Sequence, residues 1–387
     1  MLRTDSGKGE GTNDGTGRLE ILEYSEKELV RIAKRENNKK RNYLVVNPRQ
    51  GKHIPVSPSE ALELFGQLAR QVKDLYKEEK LLTIGFAETA TAIGAHVASC
   101  LGTSYIQTTR EEIPGVHYLY FSETHSHATE QKLVKEDMDE ILPQIDRILF
   151  VEDEVTTGNT ILNIMDVMER TYSRKFQFSV ASLLNGMDEE ALSSYKDRGA
   201  GLHYILKTDH SGYPQAAEQF GDDGKYREAK TTCSSLPAAI KAAGWMNARR
   251  LVDANRYQTA CEELWKVIEK AMPIESGKKY LVVGTEEFMY PALYVGKKME
   301  ELGGWVRTHS TTRSPIMVSS EAAYPLHTRY ELKSLYDKER TTYLYEIGKY
   351  DKVLVLTDAQ NEESEGVCSL YQALSDTGGS ILTVRWC

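Results

Sequence analysis

The sequence has no long apolar run. Its longest hydrophobic stretches reach about eight residues, against the roughly 20 that a membrane-crossing helix needs. No apolar segment resembling a signal peptide opens the chain, so cytoplasmic residence without a membrane association is the expectation. Cysteine is scarce and scattered: five residues, Cys100, Cys233, Cys261, Cys368 and Cys387, with no CxxC pair and no zinc-finger spacing. Reduced thiols are expected rather than a disulfide framework. Positive charge is in deficit, with a formal net charge of -9, and an acidic surface disfavours nucleic acid as a partner. Familiar chemical motifs are missing too. No GxGxxG follows a strand, and no serine nucleophile elbow is present. Gly51-Lys52 is not a P-loop, because Val46 stands where the first glycine belongs and His53 follows where Ser or Thr is needed.

What is present points to a folded protein of two parts. At 387 residues the chain is too long for one ordinary core, and 40% hydrophobic with 27% charged residues suits a globular chain. Residues 1–17, rich in Gly, Asp, Thr and Ser, cannot bury enough surface to offset chain entropy and read as a disordered tail. Residues 18–204 and 246–387 read as two domains. The stretch 205–245 loses the rhythm of both and reads as their connection, with helix expected around SLPAAIKAAGW.

Within the first part, RNYLVVN reads as a strand, preceded by a charged segment expected to be a short helix and a turn. Ser57, Pro58 and Glu60 form a helix start: a cap, a first-position proline, and an acid that can reach back to the cap nitrogen. Ala61, Leu64, Phe65, Leu68, Val72 and Leu75 follow at helical spacing. From Leu81 onward short apolar strands alternate with helices, which predicts an α/β fold with a parallel sheet covered on both faces. The second part repeats that grammar. LLTIGFAE, helix, SYIQTTRE resembles YLVVGTEE, helix, WVRTHSTTRS, and each half then reaches a strand ending in acid, RILFVED or DKVLVLTDA. The inference is two related domains, although convergence on strand-turn-helix units would read the same way.

The segment ILFVEDEVTTGNT (148–160) carries the chemistry. Glu152 and Asp153 fall at the carboxyl end of a strand over Ile148–Val151, where open α/β sheets form ligand crevices. The loop beyond runs into a helix whose first turn offers unpaired N–H groups and a positive dipole end, suited to phosphate. Gly158 permits close backbone approach, Asn159 belongs to the same turn, and Thr156, Thr157 and Thr160 supply hydroxyls. Carboxylates beside a phosphate cradle make sense when they accept hydrogen bonds from ribose hydroxyls, so a sugar phosphate satisfies both halves.

Hydrophobic strand, two acids, two variable residues and Thr-Thr-Gly-x-Thr resemble the loop that binds phosphoribosyl pyrophosphate (PRPP) in type I phosphoribosyltransferases. The resemblance implies that family's flanked parallel sheet, with a second, related α/β domain behind it. It makes Gly85, Phe86, Ala87, Glu88 and Thr89 the pyrophosphate loop and Arg110 a contact for the departing pyrophosphate. Glu123, His125 and His127 fall in the family's flexible catalytic loop and could supply a proton-transfer group. A zinc site there is the rival, but His-x-His offers only two ligands. The implied cofactor is Mg2+, held mainly by PRPP with help from Glu88, Glu152 or Asp153. Glu154 departs from the family's apolar residue and could bind a further magnesium or face water.

GKHIPV, HSHAT and TTRSPI resemble a bacterial family in which a Thr-Arg-Ser-Pro (TRSP) domain follows the phosphoribosyltransferase domain, associated with tellurite-resistance and stress-response gene clusters. This implies transfer of ribose 5-phosphate to a base-like acceptor with release of pyrophosphate, in making a nucleoside-like metabolite. In the C-terminal domain TDAQNEES lacks the threonine cradle. Glu286, Glu287, Thr311, Thr312, Arg313 and Ser314 could line a second, different pocket for phosphate or carboxylate, or a loop held by its own hydroxyls. A non-catalytic PRPP or nucleotide sensor, and an interaction subunit docking another pathway enzyme, remain alternatives on the same fold. A homodimer is compatible with all three.

Overall fold

The computed structural model describes residues 23–36, 41–121, 131–236, 238–360 and 364–387. The helix Glu26–Leu29 leads into a hairpin of β1 (Arg31–Lys34) and β2 (Tyr43–Val46), so part of the charged segment expected as helix and turn is strand. The helix Pro58–Lys73 follows, then β3 (Leu81–Gly85), the helix Thr91–Leu101 and β4 (Ser104–Gln107). A short ribbon pairs β5 (Tyr118–Tyr120) with β6 (Lys132–Val134). Next come β7 (Arg147–Val155), the helix Asn159–Tyr172, β8 (Gln177–Asn185) and β9 (Gly201–Lys207). Then β10 (Lys225–Glu228), β11 (Ala239–Ala242) and β12 (Val252–Asp253) precede the helix Ala254–Ala271. The remainder is β13 (Lys279–Gly284), the helix Tyr290–Glu301, β14 (Trp305–Ser310), β15 (Thr328–Lys333), β16 (Thr341–Tyr345), β17 (Lys352–Thr357), the helix Ser364–Ser375 and β18 (Ser380–Trp386).

These strands make two large sheets of the expected α/β class. The first has the order β12-β4-β3-β7-β8-β9, parallel apart from the edge strand β12. The second, β11-β18-β17-β13-β14, is parallel throughout. The central orders 4-3-7-8 and 14-13-17-18 correspond strand for strand. A smaller sheet, β10-β15-β16, flanks the second. The segment around Ala239–Ala242, expected as helix, is instead β11, because its backbone completes the open edge of β18.

The helix Pro58–Lys73 starts as its sequence dictates, with Ser57 accepting from the Glu60 amide and Pro58 in the first turn. Glu60 does not close the box, however. Glu300, from the second half, accepts from the Ser57 hydroxyl at 2.8 Å and the Ser59 amide at 3.0 Å. The apolar stripe Ala61, Leu64, Phe65, Leu68 and Val72 is buried, whereas Leu75 lies past the helix end and is exposed. This helix packs against both Thr91–Leu101 and Tyr290–Glu301, and one hydrophobic core runs from Leu82 and Ile84 through Phe65 to Tyr290, Val295 and Val306.

The reduced state expected for all five cysteines is corrected in one place. Cys233 and Cys368 form a disulfide. Their sequence separation of 135 leaves no local spacing to read, and folding brings the Cα atoms to 5.6 Å. Cys100, Cys261 and Cys387 are free. Among the described residues no helix is long and apolar enough to cross a membrane.

Candidate functional site

β3 and β7 are neighbours whose following helices lead to opposite sides, β3 to β4 and β7 to β8. That divergence opens a crevice at the carboxyl ends of the two strands. A cavity of about 540 Å3 occupies it, floored by Ala87, Glu88, Thr89, Glu152, Asp153 and Glu154. Arg35, Arg41, Leu44 and Val45 of the β1–β2 hairpin line one wall. Arg110 stands beside them, and Arg313, Ser314, Pro315 and Ile316 close the cavity from the second half.

The three acids have different surroundings. Burial, reinforced by neighbouring Asp153, pushes the Glu152 carboxyl well above its ordinary value. Asp153 accepts from the Thr89 hydroxyl at 2.8 Å and from the Gln50 amide at 3.4 Å. Glu154 takes neither role expected of it. It is bound by both oxygens to Arg41, at 2.7 and 2.9 Å, with His210 3.5 Å away. The guanidinium supplies the counter-charge that a magnesium would otherwise provide and takes the place of solvent.

The loop beyond β7 borders this cavity without lining it. The amides of Thr156, Thr157 and Gly158 meet no acceptor among the described residues, while the Asn159 amide has a long bond to the Thr157 hydroxyl at 3.4 Å. Thr157 and Asn159 are exposed, Thr156 and Thr160 half-buried. Gly158 has a φ of 71°, and an added Cβ would lie 2.6 Å from the Tyr195 ring. Tyr195 also donates to the Gly158 carbonyl at 2.7 Å. The close approach that requires glycine is therefore made by Tyr195.

The turn after β3 divides in two. Gly85 packs under Tyr105, whose hydroxyl would be 2.7 Å from an added Cβ, and Phe86 is buried against Phe121 and Phe150. Both sit in the core behind the cavity, and only Ala87, Glu88 and Thr89 reach it. The Ala87 amide donates to the Thr108 hydroxyl. Glu88 pairs with Lys52 at 2.5 Å and with Arg313 at 3.3 Å. Burial alone would raise its carboxyl, but these two cations outweigh it and hold Glu88 down to about 2.

Two cavity guanidiniums are uncommitted. Neither Arg35 nor Arg110 has an acidic side-chain partner among the described residues, and Nε of Arg110 is buried without an acceptor. Burial lowers both from their ordinary values, with Arg41 adding to the effect on Arg35 and Arg313 to that on Arg110.

The second-half residues do not form the separate pocket expected for them. Arg313 and Ser314 line the same cavity as Glu88 and Asp153. Glu286, Glu287, Thr311 and Thr312 are buried beside it. Arg313 pairs with Glu286 at 2.9 Å, Glu287 at 3.4 Å, Glu88 and Glu111, yet its Nη1 has no partner. Arg340 pairs with Glu111 and Glu286, and Glu287 also accepts from the Arg110 amide, Thr109 and Arg249. Lys52, whose glycine neighbour suggested a failed P-loop, is fully buried and donates to the carbonyls of Glu286 and Thr311. Arg35, Arg41, Glu111 and Arg340 escaped the sequence reading, because nothing local marks them, and Lys52 drew notice there without a role in the site. Glu123, His125 and His127 lie outside the described residues.

Two family models match the chain. One, described as phosphoribosyl transferase, covers residues 29–208. The other, described as the TRSP domain C-terminal to it, covers residues 248–374. No curated protein matches. Among solved structures the chain is similar to adenine phosphoribosyltransferase from Rhodothermus marinus, at 17% identity over 47% of this chain and 96% of that one, with a TM-score of 0.35. It is also similar to the Giardia lamblia enzyme complexed with 9-deazaadenine (17%, 47% and 95%, TM-score 0.33). A third is orotate phosphoribosyltransferase from Aeropyrum pernix (14%, 49% and 94%, TM-score 0.30). Likenesses of this size carry no argument about substrate.

Proposed function

The chain belongs to the two-domain family in which a TRSP domain follows a phosphoribosyl transferase domain, and from that premise we propose that it binds PRPP and transfers ribose 5-phosphate to a nitrogen of a base-like acceptor. The observation that carries this reading is one crevice and the turn at its border, which together offer three complementary parts. Free amides at Thr156–Gly158 suit the 5-phosphate, the carboxylates Glu152 and Asp153 suit ribose hydroxyls, and the uncommitted guanidinium of Arg110 suits pyrophosphate.

In the proposed reaction the bond from the anomeric carbon to pyrophosphate oxygen breaks, and the electron pair leaves with pyrophosphate. A bond from the acceptor nitrogen to that carbon forms, and the nitrogen gives up its proton. Arg110, with the unpaired Nη1 of Arg313, would stabilise charge growing on the leaving group. Leu44, Val45, Pro315 and Ile316 offer an apolar wall for an acceptor ring. Glu123, His125 and His127 are proposed for closing the cavity and moving the acceptor proton.

Among the described residues no three His, Cys, Asp or Glu side chains converge as a cation cage, and Glu88 is already engaged by Lys52 and Arg313. These donors fit a magnesium held mainly by PRPP oxygens, with Glu152 and Asp153 nearest to assist. Bound there, it would neutralise charge on pyrophosphate.

Calorimetry with PRPP, with and without Mg2+, followed by a pyrophosphate-release screen across candidate bases, tests the proposal. Asp153→Asn should weaken PRPP binding by roughly 1.5–3 kcal/mol, the value of a charge-assisted hydrogen bond. Unchanged affinity would remove the ribose assignment. Binding without turnover across a broad acceptor set would replace the transferase with a sensor.

A further inference from the structure

The charges around the crevice can be matched one against another, and one is left over. Glu154 is held by Arg41, Glu88 by Lys52 and Arg313, and Glu36 by Arg329 at 2.7 Å. Glu152 and Asp153 are assigned above to the ribose and Arg110 to pyrophosphate. Among the described residues that line the cavity, Arg35 is the charged group for which the proposed transfer has no use.

Both halves of the chain set the place of Arg35. Its amide donates to the Asn42 carbonyl at 2.8 Å, across the β1–β2 hairpin. On the opposite edge it bridges Ile316 in antiparallel fashion. The Glu36 amide donates there to the Pro315 carbonyl at 3.2 Å, and the Met317 amide to the Lys34 carbonyl at 3.0 Å. The first strand of the hairpin therefore runs between the two parts of the apolar wall, Leu44 and Val45 from β2 and Pro315 and Ile316 from the second half.

The guanidinium belongs to the cavity side. Its charge interacts with those of Arg41, Glu154 and Asp153, all of them lining residues. Unlike Nε of Arg110, its nitrogens are not sealed from solvent. A half-buried cation beside apolar surface, with no acidic side-chain partner among the described residues, suits an anion carried by the molecule that covers that surface.

Shape and charge narrow the anion. A carboxylate on an aromatic ring lies close to the ring plane, so a ring laid on the wall can present both oxygens to the planar guanidinium fork. A phosphate brings up to two negative charges. Asp153 acts on the same guanidinium, so the second charge would go unmatched.

We propose that Arg35 determines acceptor specificity: the molecule that receives ribose 5-phosphate is a planar heterocyclic acid, its ring against Leu44, Val45, Pro315 and Ile316 and its carboxylate paired with Arg35. This rests on the transferase reading above and names its acceptor class. The carboxylate is unchanged by the transfer, which takes place at a ring nitrogen.

The test titrates three acid–amide pairs into the full chain by calorimetry, with and without Mg2+ and PRPP: orotate and orotamide, nicotinate and nicotinamide, imidazole-4-carboxylate and imidazole-4-carboxamide. At least one acid should bind about tenfold or more tighter than its amide. Arg35→Met should abolish that preference by weakening the acid, with the amide and PRPP affinities unchanged. Arg35→Lys keeps the charge without the fork and should retain only part of the preference. If Arg35→Met fails to fold, a parental preference in Arg35→Lys decides against the proposal. No binding of any acid, an amide as tight as its acid in every pair, or a preference that survives Arg35→Met would overturn it. So would a loss of PRPP affinity in Arg35→Met with the preference intact, which would make Arg35 a PRPP contact. PRPP binding without a preferred acid would sink this inference alone. Failure of PRPP to bind, with an acid still preferred through Arg35, would sink the transferase reading and leave an anion site.

Discussion

Replacing Lys52 with methionine removes a buried ammonium while keeping most of the side chain's volume. In the parent chain that ammonium has no solvent exposure and pairs with Glu88 at 2.5 Å. It also donates to the carbonyls of Glu286 and Thr311, at 2.8 and 2.9 Å. Burial pulls the Lys52 ammonium down, but with a carboxylate and two carbonyls around it the charged form is the one these contacts support. Breaking such a pair from one side costs about 3–5 kcal/mol. Glu88 supplies an independent measure. Burial raises its carboxyl, Lys52 and Arg313 more than offset this, and the net fall from 4.5 to about 2 is worth roughly 3 kcal/mol. Because the folded value is depressed, that contribution is complete above pH 4.5 and is lost as pH falls toward 2. Urea unfolding followed by tryptophan fluorescence, from pH 7 to pH 3, reads both quantities. Lys52→Met should lose about 3–5 kcal/mol at pH 7 and show a shallower acid dependence below pH 4.5. Adding Glu88→Gln should recover part of the loss, since it removes a buried carboxylate left with Arg313, at 3.3 Å, as its one paired cation among the described residues. A loss under about 1 kcal/mol, or an acid dependence identical to the parent's, would refute the reasoning.

Three further outcomes are expected. Gly158→Ala places a Cβ 2.6 Å from the Tyr195 ring at a φ of 71° and should destabilise the chain by about 1–3 kcal/mol; an unchanged melting temperature would contradict that packing. Arg110→Met should reduce PRPP affinity by roughly 1.5–3 kcal/mol and leave stability nearly untouched, because its guanidinium has no acidic partner to lose. The opposite pattern would make it a structural residue. Deleting residues 124–128 should slow turnover more than it weakens PRPP binding, and equal losses would remove the closing role proposed for that loop.

Much of the architecture was legible because it is local. Short apolar strands next to 3.6-period helices predicted parallel α/β units, and Ser57-Pro58 marked the start of its helix. The matching halves LLTIGFAE and YLVVGTEE became β3 and β13 at corresponding places in two sheets. The order acid-acid, then Thr-Thr-Gly-x-Thr, was enough to point to the crevice where Glu152 and Asp153 stand. The helix expected around Ala239–Ala242 failed because a free edge on β18 took the segment as a strand. Periodicity within the segment carries no trace of that edge.

Read alone, the sequence determined the alternation of strands and helices and the residue types of the turn after β7, since these depend on neighbours within a few positions. Tertiary structure decided how the charges are matched. It assigned Arg41 to Glu154, Lys52 to Glu88, and Arg313 to the first crevice, and it joined Cys233 to Cys368. Buried ions and thiols must find partners wherever elements happen to meet, and in this chain those meetings join segments that are distant in sequence.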